Sequence, residues 1–211
     1  MKPLAATRDD DREIPFSQEL YRKATHMGAL VIPGSYYLLG LSRTEMVWLM
    51  VPITLFMVMI DVSRLRQWRF WTNFASKIGG RMVRGHEAAG DFTGATYILI
   101  SVCCTVAMYD KMIAIAALSF IIVGDTFAAL IGRRYGRLHF GRKTVEGSLG
   151  CLLGTLLVAF LVSSIPSWIG VIGAVTATIV EALSFEIDDN ISVPIVSGLV
   201  MTLLTVLFPL L

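Results

Sequence analysis

An all-α, polytopic membrane bundle is the fold class this sequence predicts, and three observations predict it. Hydrophobic residues make up 55% of the 211 positions, with a mean hydropathy of +0.69; a soluble domain is ordinarily about 45–50% apolar. Seven runs approach the roughly 20 apolar residues that carry a helix across a bilayer. The basic residues are segregated: sixteen of the eighteen lie in three segments, up to Lys23, from 61 to 90 and from 132 to 146. With seven alternating spans those segments share one side, which the positive-inside rule makes cytoplasmic. The N-terminus is then expected inside and the C-terminus outside.

In order along the chain, residues 1–23 read as a polar cytosolic tail without a cleavable signal, and 24–211 as one membrane-embedded catalytic domain. Ser17 is placed to cap a short amphipathic helix containing Glu19, Arg22 and Lys23. The first span is expected over about 24–41, kinked at Pro33-Gly34, and the second over about 45–60, with Asp61 at its end. From Arg64 to Lys77, bases alternate with Trp68, Phe70, Trp71 and Phe74. Beside two spans that mixture suits a helix in the membrane interface and not a nucleic-acid site. The remaining spans are expected near 93–109, 112–131, 148–165, 168–183 and 191–211, with a tight turn at Asp110-Lys111 and Pro194 near the start of the last. Cys103, Cys104 and Cys151 fall in apolar runs without metal-ligand spacing and read as packing residues.

The organising stretch is Gly124 to Gly150. Asp125 stands about six residues inside a span, on the order of 9 Å below its end. An ionisable group at that depth faces a partner or a water-filled cavity, and function is the default hypothesis; pairing for packing alone is the structural alternative. Gly124, Ala128 and Gly132 form a small-residue stripe for close helix approach. Gly132 and Gly136 bracket the expected helix exit, where backbone amides would be open to a phosphate. The segment GRLHFGRKT is not a P-loop, because Arg142 separates Gly141 from Lys143 and no strand is expected before it. Lys143, Thr144 and Gly147 nevertheless open a helix, whose N-terminus favours anions, and Lys143 is the expected polyphosphate partner.

Glu181, Asp188 and Asp189 are a second acidic group, of the hard oxygen donors that suit Mg²⁺; the two aspartates equally suit a solvated loop. His26, on one helical face with Arg22 and Lys23, is a candidate base or phosphate donor. Asp61, Arg84, Glu87 and Asn190 are further polar candidates at the same membrane face. Gathering at one face argues against an anion transporter, whose groups lie nearer the midplane.

The stretch GDTFAALIGRRYG…KTVEGSLG resembles the motif of the CTP-dependent lipid kinases: dolichol, phytol and yeast-type diacylglycerol kinases, distant relatives of phosphatidate cytidylyltransferases. RKATH at 22–26, DVSR at 61–64, RGHEAAGDFTGATY at 84–97 and EALSFEIDDNISVPIVSG at 181–198 are similar to family segments too. The resemblance implies transfer of the γ-phosphate of CTP, with Mg²⁺ or another divalent cation, to a lipid alcohol at the cytoplasmic face. Asp125, Lys143, Glu181 and His26 would be catalytic. Gly124, Gly132, Gly136, Thr144, Gly147, Arg84, Arg22 and Lys23 would join Lys143 on the phosphates. Asp125, Glu181, Asp188 and Asp189 would hold the metal. Partners would be the lipid alcohol, CTP and membrane lipids, and the pattern is compatible with a homo-oligomer. A cytidylyltransferase releasing pyrophosphate is the alternative reaction.

Overall fold

The computed structural model describes residues 16–68, 92–141, 143–162, 164–183 and 187–209, with backbone alone for 16–19. Eight helices and one short hairpin are described: α1 Phe16–Gly28, α2 Val31–Leu38, α3 Arg43–Leu65, α4 Gly94–Met108, α5 Lys111–Tyr135, β1 His139–Phe140, β2 Lys143–Thr144, α6 Val145–Leu161, α7 Ser167–Leu183 and α8 Asp189–Leu207. The all-α expectation holds. By length and composition α3, α5 and α8 reach a membrane span, while α4, α6 and α7 are apolar but shorter.

α5 is the axis of the bundle. It is apolar around its whole circumference, and Ile113 to Gly124 are all buried, as expected of a helix with no solvated stripe. Its most extensive partner is α6, and it also touches α1, α2, α4, α7 and α8. The α5–α6 contact is made by glycines. A Cβ on Gly124 would stand 2.9 Å from Cys151 Sγ, one on Gly147 3.1 Å from the Ala128 carbonyl, and one on Gly150 2.9 Å from the Phe127 carbonyl. α6 is patterned inside out. Gly147, Gly150, Cys151, Gly154 and Thr155 are buried, while Leu149, Leu153, Leu157 and Phe160 are exposed. Small residues inward and large apolar residues outward suit a helix surrounded by lipid, where close backbone approach drives association. The protein is a membrane-embedded helical bundle.

Several boundaries differ from expectation for local reasons. The single kinked span at 24–41 is two helices, α1 and α2. Pro33 has no N–H, so the Ala29 carbonyl one turn earlier takes the Ile32 N–H at 3.0 Å, and the chain breaks there and not at the proline itself. α3 starts on a capping box: the Ser42 hydroxyl accepts the Glu45 N–H, and the Glu45 carboxylate accepts the Ser42 N–H, worth about 1 kcal/mol. α3 then runs past Asp61 to Leu65, so Asp61 lies inside the helix and not at its end. The interfacial helix expected beyond Trp68 lies outside the described residues. α5 continues through Gly132 to Tyr135, which leaves Asp125 ten residues, about 15 Å, from the helix end.

The expected basic loop contains a two-residue antiparallel hairpin, pairing His139 with Thr144 and Phe140 with Lys143. The hairpin lies inside the segment 136–144, and the element that precedes that segment is the helix α5, so no strand leads into it as a P-loop requires. Gly141 sits in its turn at φ +59, a conformation that costs a residue with a Cβ about 1–2 kcal/mol. The opposite end of the bundle is closed by Arg43, which donates to the Tyr109 carbonyl at 3.1 Å, and by Lys111, which donates to the Leu41 carbonyl at 2.8 Å.

Candidate active site

Two charged clusters form at the end of the bundle where α5 passes into the hairpin. In the first, α1 packs along α5 and brings two side chains one turn apart to Asp125. Lys23 Nζ donates to Asp125 Oδ2 at 2.5 Å, and His26 Nε2 lies 3.4 Å from the same oxygen. The Lys23 side chain is 2% exposed and the Asp125 side chain 28%. The cation is sealed between helices while the carboxylate keeps an open face. The charge of Arg22 also acts on Asp125.

In the second cluster, Lys143 leaves β2 toward the end of α7 and the start of α8. Its ammonium donates to the Glu181 backbone carbonyl at 2.6 Å, to Glu181 Oε1 at 2.6 Å and to Asp189 Oδ2 at 2.9 Å. Burial alone would draw the Lys143 ammonium down, but the two carboxylates outweigh it and hold it above the usual lysine range. Glu181 is 4% exposed, and its second oxygen, Oε2, is buried without a hydrogen-bond partner. The negative charge of Asp125 is felt by both Glu181 and Asp189. The carboxylates of α5, α7 and α8 thus repel one another.

Other sequence candidates take different positions. Asp188 caps α8: its Oδ1 accepts the backbone N–H of Asn190 at 2.9 Å and the Asn190 side-chain amide at 2.7 Å. The expected acidic group therefore divides, with Asp189 joining Lys143 and Asp188 turned to its own helix. Asp61, 1% exposed, accepts from Arg64 Nε at 3.1 Å, Thr93 N at 2.8 Å, Thr93 Oγ1 at 2.9 Å and Thr96 Oγ1 at 2.7 Å. It clasps α3 to α4. The Gly136 N–H closes α5 on the Gly132 carbonyl at 2.9 Å, and the Gly147 N–H donates to the capping Thr144 hydroxyl at 3.0 Å. Those two amides are used inside the fold, and Gly132 and Gly147 serve close helix approach, correcting the view of open amides at a helix exit. Arg84 and Glu87 lie outside the described residues. Past the end of α5, a cavity of about 500 Å³ is lined by Arg134, Tyr135, Gly136, Arg137 and Glu146.

Comparison with known proteins gives these clusters a context. A CTP-dependent diacylglycerol kinase of Saccharomyces cerevisiae is 21% identical over 95% of this chain and 83% of its own length. A probable chloroplastic phytol kinase of Triticum aestivum is 34% identical over 53% of this chain. The chain's relatives thus include phytol kinases, a CTP-dependent diacylglycerol kinase and a dolichol kinase. An uncharacterized protein of Rickettsia prowazekii is 27% identical over 85% of the chain and 91% of its own length. The region matched to the wheat kinase covers 44% of that protein. No protein-family model and no solved structure matches the chain.

The resemblance to lipid kinases implies a divalent cation, and two acidic side chains have oxygens that would suit one. Glu181 Oε2 is a buried acceptor without a partner, and Asp125 has an open face within reach of its charge. Among the described residues no three His, Cys, Asp or Glu side chains gather closely enough to enclose an ion. The sequence reading found the charged residues but missed their pairing. It also missed Arg64, Thr93 and Thr96 around Asp61; the i, i+3 spacing of Asp61 and Arg64 was the available signal.

Proposed function

We propose that the protein is a CTP-dependent lipid kinase that moves the γ-phosphate of CTP to the hydroxyl of a membrane lipid alcohol, a polyprenol, a phytol-like prenol or diacylglycerol. The observation that carries this reading is the convergence, at one end of the bundle, of Asp125 on Lys23 and of Glu181 and Asp189 on Lys143. The homology to lipid kinases supports it. In the reaction the alcohol oxygen bonds to the γ-phosphorus, the bond to the β-phosphate oxygen breaks, CDP leaves, and the hydroxyl proton passes to the carboxylate cluster. Phosphoryl transfer needs little from a protein beyond positioning and charge neutralisation. Lys23 offsets charge beside Asp125, and Asp125 and Glu181 are the groups that would hold Mg²⁺, which would neutralise the phosphates when bound. The acceptor enters from the bilayer across the exposed leucines of α6, and the site faces the cytoplasm, the side of the basic segments.

The test is purified protein in lipid-containing micelles, given γ-labelled CTP, Mg²⁺ and a panel of prenols and diacylglycerol. The expected result is label on a lipid. Release of labelled pyrophosphate with CMP on a lipid phosphate would instead make the protein a cytidylyltransferase. Asp125→Asn is expected to lower stability, because the sealed Lys23 ammonium loses its carboxylate partner, and to lose at least 100-fold in turnover per folded molecule, since it removes the charge that Lys23 and the ion share. Near-normal turnover would reject the site.

A further inference from the structure

Lys143 is expected from the sequence, with Arg22, Lys23 and Arg84, to meet the nucleotide's phosphates, and its surroundings give it another task. A lysine ammonium has three N–H donors and no acceptor. All three are matched here, by the Glu181 carbonyl, Glu181 Oε1 and Asp189 Oδ2. The Glu181 carbonyl belongs to the last turn of α7, which ends at Leu183, where carbonyls lack intrahelical partners. Asp189 begins α8. The lysine is itself fixed, because it lies on the returning strand of the hairpin, paired with Phe140. One ammonium therefore ties together the hairpin, the end of α7 and the start of α8. To reach a phosphate it would have to leave a helix-end carbonyl or a buried carboxylate unmatched, a costly exchange.

Resting on the lipid-kinase reading above, we propose that Lys143 is a positioning residue, which holds Glu181 by one oxygen and leaves its buried Oε2 unpaired, and that it does not contact the phosphates of CTP. The tetrahedral ammonium suits this three-way junction, whereas the planar guanidinium of arginine does not. Arginine would, however, be a good phosphate ligand, so Lys143→Arg separates the two roles. A phosphate contact survives that change; the three-way hold does not.

The experiment compares wild type, Lys143→Arg, Lys143→Met, Glu181→Gln and Lys143→Met/Glu181→Gln, all purified in micelles. Labelled CTP with Mg²⁺ is bound without lipid acceptor, and turnover is measured separately. Lys143→Arg is expected to bind CTP within about threefold of wild type and to lose at least tenfold in kcat. Lys143→Met is expected to bind CTP similarly well, and the double variant to be no more than about threefold slower than the slower single variant, as for two residues acting through one contact. The proposal is overturned if Lys143→Arg turns over normally, if Lys143→Met loses tenfold or more in CTP affinity, or if the two losses multiply. Should Lys143→Met fail to fold, the arginine variant decides alone. The melting temperatures of the four ligand-free proteins in the same cycle read the Lys143–Glu181 junction independently of catalysis. If wild type neither binds CTP nor labels lipid, the kinase reading fails, while non-additive melting shifts would still show the junction.

Discussion

Asp61 and Asp125 are both acids in apolar sequence, and their surroundings separate them. Asp61 receives four donors and is sealed, so its lone pairs are largely spent on joining α3 to α4. Asp125 receives a lysine on one oxygen and keeps an open face. Asp61→Ala is expected to cost about 3–5 kcal/mol, the range for breaking a buried ion pair, and to lower the melting temperature in detergent, while the folded fraction keeps its activity. Unchanged melting with lost turnover would move Asp61 into the site. Both acids were visible in the sequence as expensive residues, but only the neighbours supplied by other helices show which one is saturated. The same holds for Lys143, whose charge was legible and whose three acceptors, from two other helices, were not.

Among the elements, α5 and α6 decide the site's geometry because glycines let them pack closely. Gly124, Ala128 and Gly132 of α5 read from spacing as a close-approach stripe; what spacing did not reveal was that Gly147, Gly150 and Gly154 of α6 face α5. Gly150→Val is expected to destabilise by about 1–3 kcal/mol, as overpacking does, because the added carbons meet the Phe127 carbonyl and Ile131. Turnover should fall with it, since Asp125 rides on α5; denaturation and kinetics on the same preparation check both. The element boundaries that sequence misplaced have local causes with long reach. Pro33 broke the first span a turn upstream of itself. Gly132 did not end α5, because the packing of α6 against it outweighs glycine's weak helix preference.

At the scale of the whole molecule, ionic groups among the described residues gather at two ends: Lys23, Asp125, Lys143, Glu181 and Asp189 at one, and Arg43, Asp110 and Lys111 at the other. We propose that the first end faces the cytoplasm, the side on which the positive-inside rule puts the basic segments. In intact cells a membrane-impermeant thiol reagent is therefore expected to label Arg43→Cys, and to reach Leu138→Cys only after permeabilisation, with both measured in a background lacking Cys103, Cys104 and Cys151. The reverse pattern would invert the orientation. By itself the sequence determined that the chain is helical and membrane-embedded and which residues carry charge, because hydrophobic run length, small-residue spacing and the cost of a buried ion are local properties. Only the tertiary structure decided which charges meet. Lys23 with Asp125, and Lys143 with Glu181 and Asp189, are separated by 102, 38 and 46 positions. Such contacts depend on how helices pack around α5, an outcome of summed side-chain volumes that no single stretch of sequence carries.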